Sequence, residues 1–448
     1  METEEIKNKV FYQKCKGFIT SAFRLLEVYL KKGESIPETI IQDISLKSES
    51  EWEYPFRRFL FLPLFVLRHE RSIEELPEFI DCKRYMFEEE SIKKHLDHIV
   101  GYSHAQTVIN ADSLLSELVY HSFDDSRPFE YNPDRFDRAY SRIEDLFYGE
   151  NIHLVFSAPL QNFHCELETI NLAKDLRIVR MSREEREDLW RSSRYGGWLP
   201  DSLLPHLTHI LELDCFKPKI CKKTWDEFSK SISEENPEQI AKSEFDSVVS
   251  ALRLFKPGVM GFSYIRTTSL TWFPLPGFGG FTTHYGQHFE LAKYVLSESE
   301  AKEFETFFEE LFGRKSVSHL QYPLDLALNR FNYAYERKRP EDKLIDYMIA
   351  FEALYGAPGY MIALRAASLL GNIPDEKKQI FSEMKEAREL RDNTVHGSTK
   401  KESAISAEKA SRIEDHLRHS LQQFIKRKIT GKTARKTLID SLEKTLLS

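Results

Sequence analysis

An arginine and a histidine five residues apart lie near the C-terminus, in the stretch 388–397. The arginine is Arg391, and a guanidinium offers a permanent charge with forked donors that suit a phosphate group. The histidine is His396, and imidazole is the side chain that most readily takes up or gives a proton near neutral pH. Together they could cleave an RNA backbone without a metal: the imidazole would move the proton of the attacking ribose 2′-OH, and the guanidinium would stabilise the charge on the phosphate.

The pair ends a helical pattern that begins near Pro374. Five residues recur at spacings of three and four and are predicted to share one face: Phe381, Met384, Arg388, Asp392 and Val395. Gly397 is predicted to end the helix, because glycine adopts the left-handed cap conformation without steric cost.

The spacing separates the two side chains, because five residues turn through about 140° of a helix. Three arrangements could still bring them together. Arg391 could bend towards His396, the helix could fray near Gly397, or a partner chain related by a two-fold axis could complete the site. Similar spacings occur at Arg314 and His319, in a predicted loop, and more widely at Arg412 and His419. The surroundings of Arg391 are therefore what distinguish it.

Composition is that of a globular protein, and it gives no overall attraction to nucleic acid. The chain has 448 residues, 41% hydrophobic and 30% charged, with a net charge of -8. Its length is sufficient for two or three domains. Any contact with RNA must therefore be local.

Five scattered cysteines indicate reduced cytosolic thiols rather than a disulfide framework. Cys215 and Cys221 follow His206 and His209, but this spacing fits no standard zinc ribbon. No metal and no cofactor is predicted. The N-terminus has no apolar signal core, and the longest apolar run, 59–67, is far shorter than the roughly 20 residues that cross a bilayer. We expect a cytoplasmic protein that has no membrane partner.

The predicted fold class is α+β, with three regions. Residues 1–148 are predicted to be mainly helical, with helices that include 92–102 and 105–120. Residues 149–296 are predicted to form a mixed α/β or β-rich module, because short strand-like runs surround a helix over 240–255. We expect this module to act as a sensor or regulator. In this module the segment 274–286 is rich in glycine but lacks the lysine of a P-loop. It is a connector, or else a loop that faces a ligand or a partner.

From residue 297 to 448 every predicted element is a helix, and residues 320–430 form the core of this bundle. The predicted helices are 299–311, 323–337, 340–354, 359–370, 374–396, 403–428 and 433–447. The last of them, with the residues just before it, makes the one clearly basic region of the chain. It is either a solvated helix end or a surface that follows an RNA backbone.

Residues of about 320–430 resemble the HEPN superfamily, in particular its Apea-like branch. Four blocks in order carry the resemblance: 328–331, 341–356, 365–370 and 388–397. The resemblance implies a bundle of about five helices, usually dimeric, with the active site at the dimer interface. It also implies a metal-independent endoribonuclease of the kind found in toxin and anti-phage defence systems. The family signature of arginine, a polar residue and a later histidine matches Arg391, Asp392 and His396.

Three further residues have open roles. Glu352 lies on an apolar helix and needs a partner. We expect it to pair with Arg365 or Arg388 as a structural bridge, and the alternative is that it orients Arg391 or His396. Arg388 could add a second phosphate contact, and Asp392 could accept a hydrogen bond or be exposed.

Two classes of function remain open. In the first, the bundle cleaves RNA, and residues 1–296 restrain the cleavage and would sense a phage or cellular trigger. In the second, the bundle is not catalytic, and it dimerises or binds a nucleotide or RNA within a regulatory complex.

Overall fold

The computed structural model describes residues 6–42, 45–47, 52–53, 56–60, 62–102, 105–122, 131–187, 189, 207–232, 236–262, 264–271, 281–282, 293–312, 322–356, 359–396, 405–429 and 432–447. Over these residues the chain is a mixed α+β protein with several antiparallel sheets, which confirms the predicted class at this level.

Helices dominate the first 148 residues, as predicted. Their bounds are α1 (Lys9–Lys31), α2 (Leu62–Arg68), α3 (Glu70–Glu74), α4 (Pro77–Glu88), α5 (Glu90–Lys93), α6 (Ala111–His121) and α7 (Pro133–Tyr148). The start of α1 is set by Asn8, whose side-chain oxygen accepts a hydrogen bond from the Phe11 amide at 2.9 Å. Buried side chains of these helices form a hydrophobic core of their own.

Short strands also occur in this region, and the prediction missed them. They are β1 (Glu38–Gln42), β2 (Ser45–Leu46), β3 (Trp52–Glu53), β4 (Phe56–Leu60), β5 (Ile99–Tyr102) and β6 (Ala105–Val108). The predicted helices over 92–102 and 105–120 are wrong at β5 and β6, where Val100 pairs with Thr107. The β-branched residues in both runs favour strands.

The middle region is built on a seven-stranded sheet, most of whose strands the sequence predicts. The elements are β7 (Asn151–Gln161), β8 (Phe163–Cys165), β9 (Thr169–Asn171), β10 (Leu176–Arg180), β11 (His209–Pro218), β12 (Ile220–Lys222), α8 (Trp225–Ser231), α9 (Pro237–Phe255), β13 (Gly261–Phe262), β14 (Tyr264–Ser269), β15 (Phe281–Thr282) and β16 (Tyr294–Leu296). The main path of the sheet runs β15-β14-β7-β11-β10-β9, and β13 also pairs with β7. Of the glycine-rich segment 274–286, only residues 281–282 lie within the described residues.

Seven helices follow, and each confirms a predicted helix to within a few residues. They are α10 (Glu298–Phe312), α11 (Leu324–Ala334), α12 (Pro340–Tyr355), α13 (Tyr360–Leu370), α14 (Pro374–Val395), α15 (Ala407–Lys426) and α16 (Lys432–Leu447). Prolines at the first helical position start α12 and α14, and acidic residues follow in the first turn of each.

The sheet and the helical bundle share one hydrophobic core, which runs from Ile152 to Leu442. The core is continuous across the predicted boundary at 296/297. Two arginines that are each 2% exposed link the two parts. Arg253 of α9 donates to Asn332 of α11 at 3.1 Å, and Arg418 of α15 donates to the Arg253 carbonyl at 2.8 Å. Because buried charges need partners, these contacts hold α9 of the sheet region in register with the bundle.

Candidate active site

Helix α14 brings Arg391 to the site through its buried stripe. Ile380, Met384 and Ala387 are 9%, 1% and 2% exposed, and Arg391 occupies the next position of the same stripe. The guanidinium therefore continues the face by which α14 packs on the bundle. The five residues predicted to share one face all lie on α14, but this face is not uniformly buried, because Val395 is 55% exposed.

Two carboxylates hold the Arg391 guanidinium. One terminal nitrogen, Nη2, donates to Glu352 Oε1 on α12, and the other, Nη1, donates to Asp392 Oδ1 at 2.8 Å. Glu352 precedes Gly356, the left-handed residue that ends α12 at φ 64° and ψ 25°. The pair therefore ties the last turn of α14 to the last turn of α12.

The prediction that Glu352 pairs with Arg365 or Arg388 is wrong. Arg365 instead donates to Glu443 of α16 at 3.1 Å and to the Tyr355 carbonyl at 2.6 Å. The alternative, in which Glu352 orients Arg391, agrees with the contacts. The packing of α12 on α14 selects Arg391, which lies on the buried stripe of α14.

Arg388 lies beside this pair and stacks on an aromatic ring. Its guanidinium carbon is 5.0 Å from the centre of the Tyr360 ring, and its Nε is 3.6 Å from Asp392 Oδ2. Asp392 therefore stands between Arg388 and Arg391 and faces both. Of the two alternatives left open for Asp392, a hydrogen-bond acceptor or an exposed residue, the bond from Arg391 agrees with the first.

His396 is the residue that caps α14, and its side chain is exposed. Its amide donates to the Asp392 carbonyl at 3.0 Å, which keeps the backbone close to helical at this position. Among the described residues, its imidazole has no hydrogen-bond partner. Glu352, Arg388, Arg391 and Asp392 thus form one contact network, and His396 follows it at the helix end. Gly397, the predicted cap, lies outside the described residues.

Sequence reasoning missed a second arginine contact at the end of α12. Arg435 of α16 donates to the Ala353 carbonyl at 2.8 Å, and a Cβ on Gly356 would lie 3.2 Å from its guanidinium carbon. The C-terminal end of a helix carries partial negative charge, so it attracts guanidinium groups. The basic run in the sequence was the available signal, but it did not indicate which helix end the run would contact.

The region around the end of α12 therefore carries a surplus of positive charge. Four arginines meet there, contributed by α13, α14 and α16: Arg365, Arg388, Arg391 and Arg435. Three carboxylates pair with members of this group: Glu352, Asp392 and Glu443. A guanidinium has five N–H donors, so Arg391 keeps donors for an anion beyond those it uses on its two carboxylates.

Another histidine, His416, joins α15 to α14 by pairing with a carboxylate nearer the start of α14. His416 of α15 is 2.8 Å from Glu383 Oε2, and Arg412 is 3.6 Å from Glu383 Oε1. Burial alone would raise the pKa of Glu383, but hydrogen bonds from His416 and Gln379 bring it below its ordinary value. This is a paired helix–helix bridge. Arg314 and His319, the other copy of the spacing, lie outside the described residues.

No family model, no curated protein and no solved structure matches this chain. In the part of the chain that the structure describes, no three His, Cys, Asp or Glu side chains are grouped so as to hold a metal ion, and His206 lies outside that part. Of the helices described, none combines the length and the apolar character needed to span a bilayer.

Proposed function

We propose that the C-terminal bundle is a metal-independent endoribonuclease of the HEPN type, in which the ribose 2′-OH attacks the adjacent phosphate. Arg391 would stabilise the phosphorane charge, and Arg388 would add a phosphate contact. His396 would move the proton. One observation carries the proposal: the end of α14 combines an oriented guanidinium with an exposed imidazole. Among the described residues, this imidazole has no hydrogen-bond partner.

The carboxylates support this assignment. Glu352 fixes the direction of the Arg391 guanidinium, as is typical of groups that orient a charged side chain before the substrate arrives. Both carboxylates leave part of the guanidinium accessible, because the Arg391 side chain is 22% exposed. A single phosphodiester oxygen could therefore bind without displacing either one.

The test is cleavage of single-stranded RNA by the full-length protein in EDTA, with detection of 2′,3′-cyclic phosphate ends. We expect His396→Ala to abolish cleavage. His419→Ala is the matched control, because His419 is exposed on α15 and belongs to the competing spacing. Equal cleavage by the wild type and by His396→Ala, or no cleavage by the wild type in the presence of its trigger, would refute the proposal.

We further propose that the active form is a homodimer through this bundle. Two apolar side chains beside the network support a protein partner here: Val395 is 55% exposed and Tyr360 is 49% exposed. The test is to mix Arg391→Ala with His396→Ala. If a site takes arginine from one subunit and histidine from the other, half the sites of a mixed dimer are intact and activity returns. No activity in the mixture would place both groups in one subunit.

Residues 1–296 would then restrain the nuclease until a phage or cellular trigger binds, in the manner of a defence or toxin-type effector. The shared core and the Arg253 and Arg418 contacts support this role, because they give the sheet region a rigid connection to the bundle. The location would be cytoplasmic.

A second function is favoured by one observation. Arg391 is already paired with Glu352 and Asp392, and a guanidinium with two carboxylates is also a common structural bridge. In this alternative the bundle dimerises or binds a nucleotide or RNA without chemistry. It predicts that His396→Ala changes the mass measured by light scattering, or the affinity for a ligand, while wild type cleaves nothing.

A further inference from the structure

The corner between α15 and α16 concentrates positive charge. Residues 426–436 contain six lysines and arginines and no acidic residue, in a chain whose net charge is -8. Five of the six are exposed: Lys426, Arg427, Lys428, Lys432 and Lys436. We name these six residues, the exposed five together with Arg435, the basic corner.

Among the described residues, most of this charge has no carboxylate partner. Lys426 is 3.6 Å from Glu310, and Arg427 contacts the neutral side chain of Gln423. In the described part of the chain, Lys428, Lys432 and Lys436 have no carboxylate partner. Exposed charges of one sign at this density repel each other, so an anionic ligand would stabilise the corner.

Local structure fixes where these cations lie. Two residues beyond the end of α15, Lys428 is in the left-handed conformation at φ 55°, and the Ile429 amide donates to the Phe424 carbonyl at 2.9 Å. Helix α16 then packs on the bundle through Leu438, Ile439 and Leu442, which are 8%, 9% and 7% exposed. The corner is therefore a defined surface built on two anchored helices.

Arg435 connects this surface to the candidate active site. Its guanidinium donates to the carbonyl of Ala353, the residue that follows Glu352, and Glu352 holds Arg391. Lys432 lies one turn before Arg435 on α16, and Lys436 follows it directly. Cations therefore extend from the Arg391 network across the end of α12 to the corner.

We infer that the basic corner binds the phosphate backbone of a single-stranded RNA outside the cleavage site and guides the strand to Arg391 and His396. The inference rests on the proposed function for the identity of the strand. Exposed lysine and arginine side chains contact the charged phosphates rather than the bases. We therefore expect RNA binding that is strong at low salt and insensitive to the base sequence.

The experiment measures binding of a fluorescent 20-nucleotide oligouridine to full-length protein by anisotropy, in a His396→Ala background that prevents cleavage. The test variant is Lys428→Gln, Lys432→Gln and Lys436→Gln together. The control variant removes the same charge elsewhere, through Lys94→Gln, Lys223→Gln and Lys230→Gln, which are also exposed.

We expect the test variant to weaken binding on the order of 100-fold at 0.1 M salt, since each phosphate contact to a single strand contributes a salt slope of about 0.7. The slope of log affinity against log salt should fall by about 2 for the same reason. The control variant should bind like the parent. Both triple variants should keep the parent's melting temperature, because they change only exposed side chains.

Equal affinities for the two triple variants would overturn the inference, and so would a parent that binds no oligouridine or that prefers vesicles containing phosphatidylserine. The outcome is separable from that of the proposed function. Loss of binding in the test variant supports the corner even if wild type cleaves nothing, whereas cleavage with unchanged binding refutes the corner alone.

Discussion

Replacing Glu352 with glutamine separates a positioning role from a structural one. Glutamine keeps the size of the side chain and one acceptor oxygen, but it removes the charge that Arg391 faces across α12 and α14. Arg391 retains Asp392 as its other partner, at 2.8 Å. The change therefore loosens the guanidinium without leaving it unpaired.

The cost in stability should be small. The Glu352 side chain is 39% exposed and that of Arg391 is 22% exposed, so water screens the pair. Pairs of this exposure contribute at most about 1 kcal/mol to the free energy of unfolding. In a protein of 448 residues this corresponds to a shift in melting temperature of less than about 2 °C.

The cost in catalysis should be much larger if Arg391 acts on the phosphate. Loss of alignment of a catalytic group by about 1 Å can cost about 100-fold in rate. We expect kcat for RNA cleavage to fall by about 10- to 100-fold with little change in KM, because the basic corner is intact. Binding of oligouridine should also be unchanged.

The assay is single-turnover cleavage of RNA together with thermal unfolding of the same preparations. Glu389→Gln is the matched control, since Glu389 is an exposed carboxylate on α14 outside the Arg391 network, 4.0 Å from Lys385. Full cleavage activity in Glu352→Gln, or a loss of melting temperature well beyond the expected shift, would refute the positioning role and favour a structural bridge.

Three predictions concern stability. Burial lowers the pKa of His95 to about 4, so between pH 6.5 and pH 4 the unfolded chain binds a proton that the folded chain does not, and the free energy of unfolding should fall by up to about 3 kcal/mol by pH 4. Urea unfolding at several pH values should show a smaller fall for His95→Gln, and an equal fall would contradict this prediction. Gly356→Ala should lower the free energy of unfolding by about 1–2 kcal/mol, because an alanine at φ 64° is strained and its Cβ would meet Arg435. Gly17→Ala in α1 is the control and should not destabilise the protein, because a Cβ there meets nothing within 4 Å. Arg418→Met should lower the free energy of unfolding by about 3 kcal/mol or more, because it leaves Glu414 without its buried partner. Arg412 lies on the same helix and its side chain is 44% exposed, so an equal effect of Arg412→Met would refute that reasoning.

The helices of the bundle could be predicted because their signals are local. Proline and acidic residues mark the starts of α12 and α14, and the apolar spacing within each helix gives its length. The strands of the central sheet are predictable for the same reason. In β7, alternate residues from Ile152 to Leu160 are all fully buried, and this alternation is visible in the sequence.

The short strands of the first 148 residues could not be predicted in this way. β5 lies between β6 and β12, and Cys221 of β12 pairs with Val100 from more than a hundred residues away. A run of four residues carries little periodicity of its own, so distant pairing decides its structure. The continuity of the core across 296/297 is likewise a matter of packing between distant segments.

The site was predicted as a set of residues but not as a set of contacts. Arg388, Arg391 and Asp392 are close in sequence, so a helix necessarily brings them together. The partner of Glu352 depends on the rotation of α14 against α12, and the predicted face included Val395, which is exposed. Because the stripe through Ala387 is the buried one, Arg391 rather than Arg388 meets Glu352.

The two carboxylates on Arg391 explain why the site would depend on the basic corner. A phosphodiester carries one negative charge and must share the guanidinium with Glu352 and Asp392, so the network alone would bind RNA weakly. Lys428, Lys432 and Lys436 have no such competitors among the described residues and can supply the affinity that Arg391 lacks. On this reasoning the corner would determine how tightly RNA is held, while Arg391 and His396 would determine how fast it is cut. Mutations in the two places should therefore change KM and kcat separately.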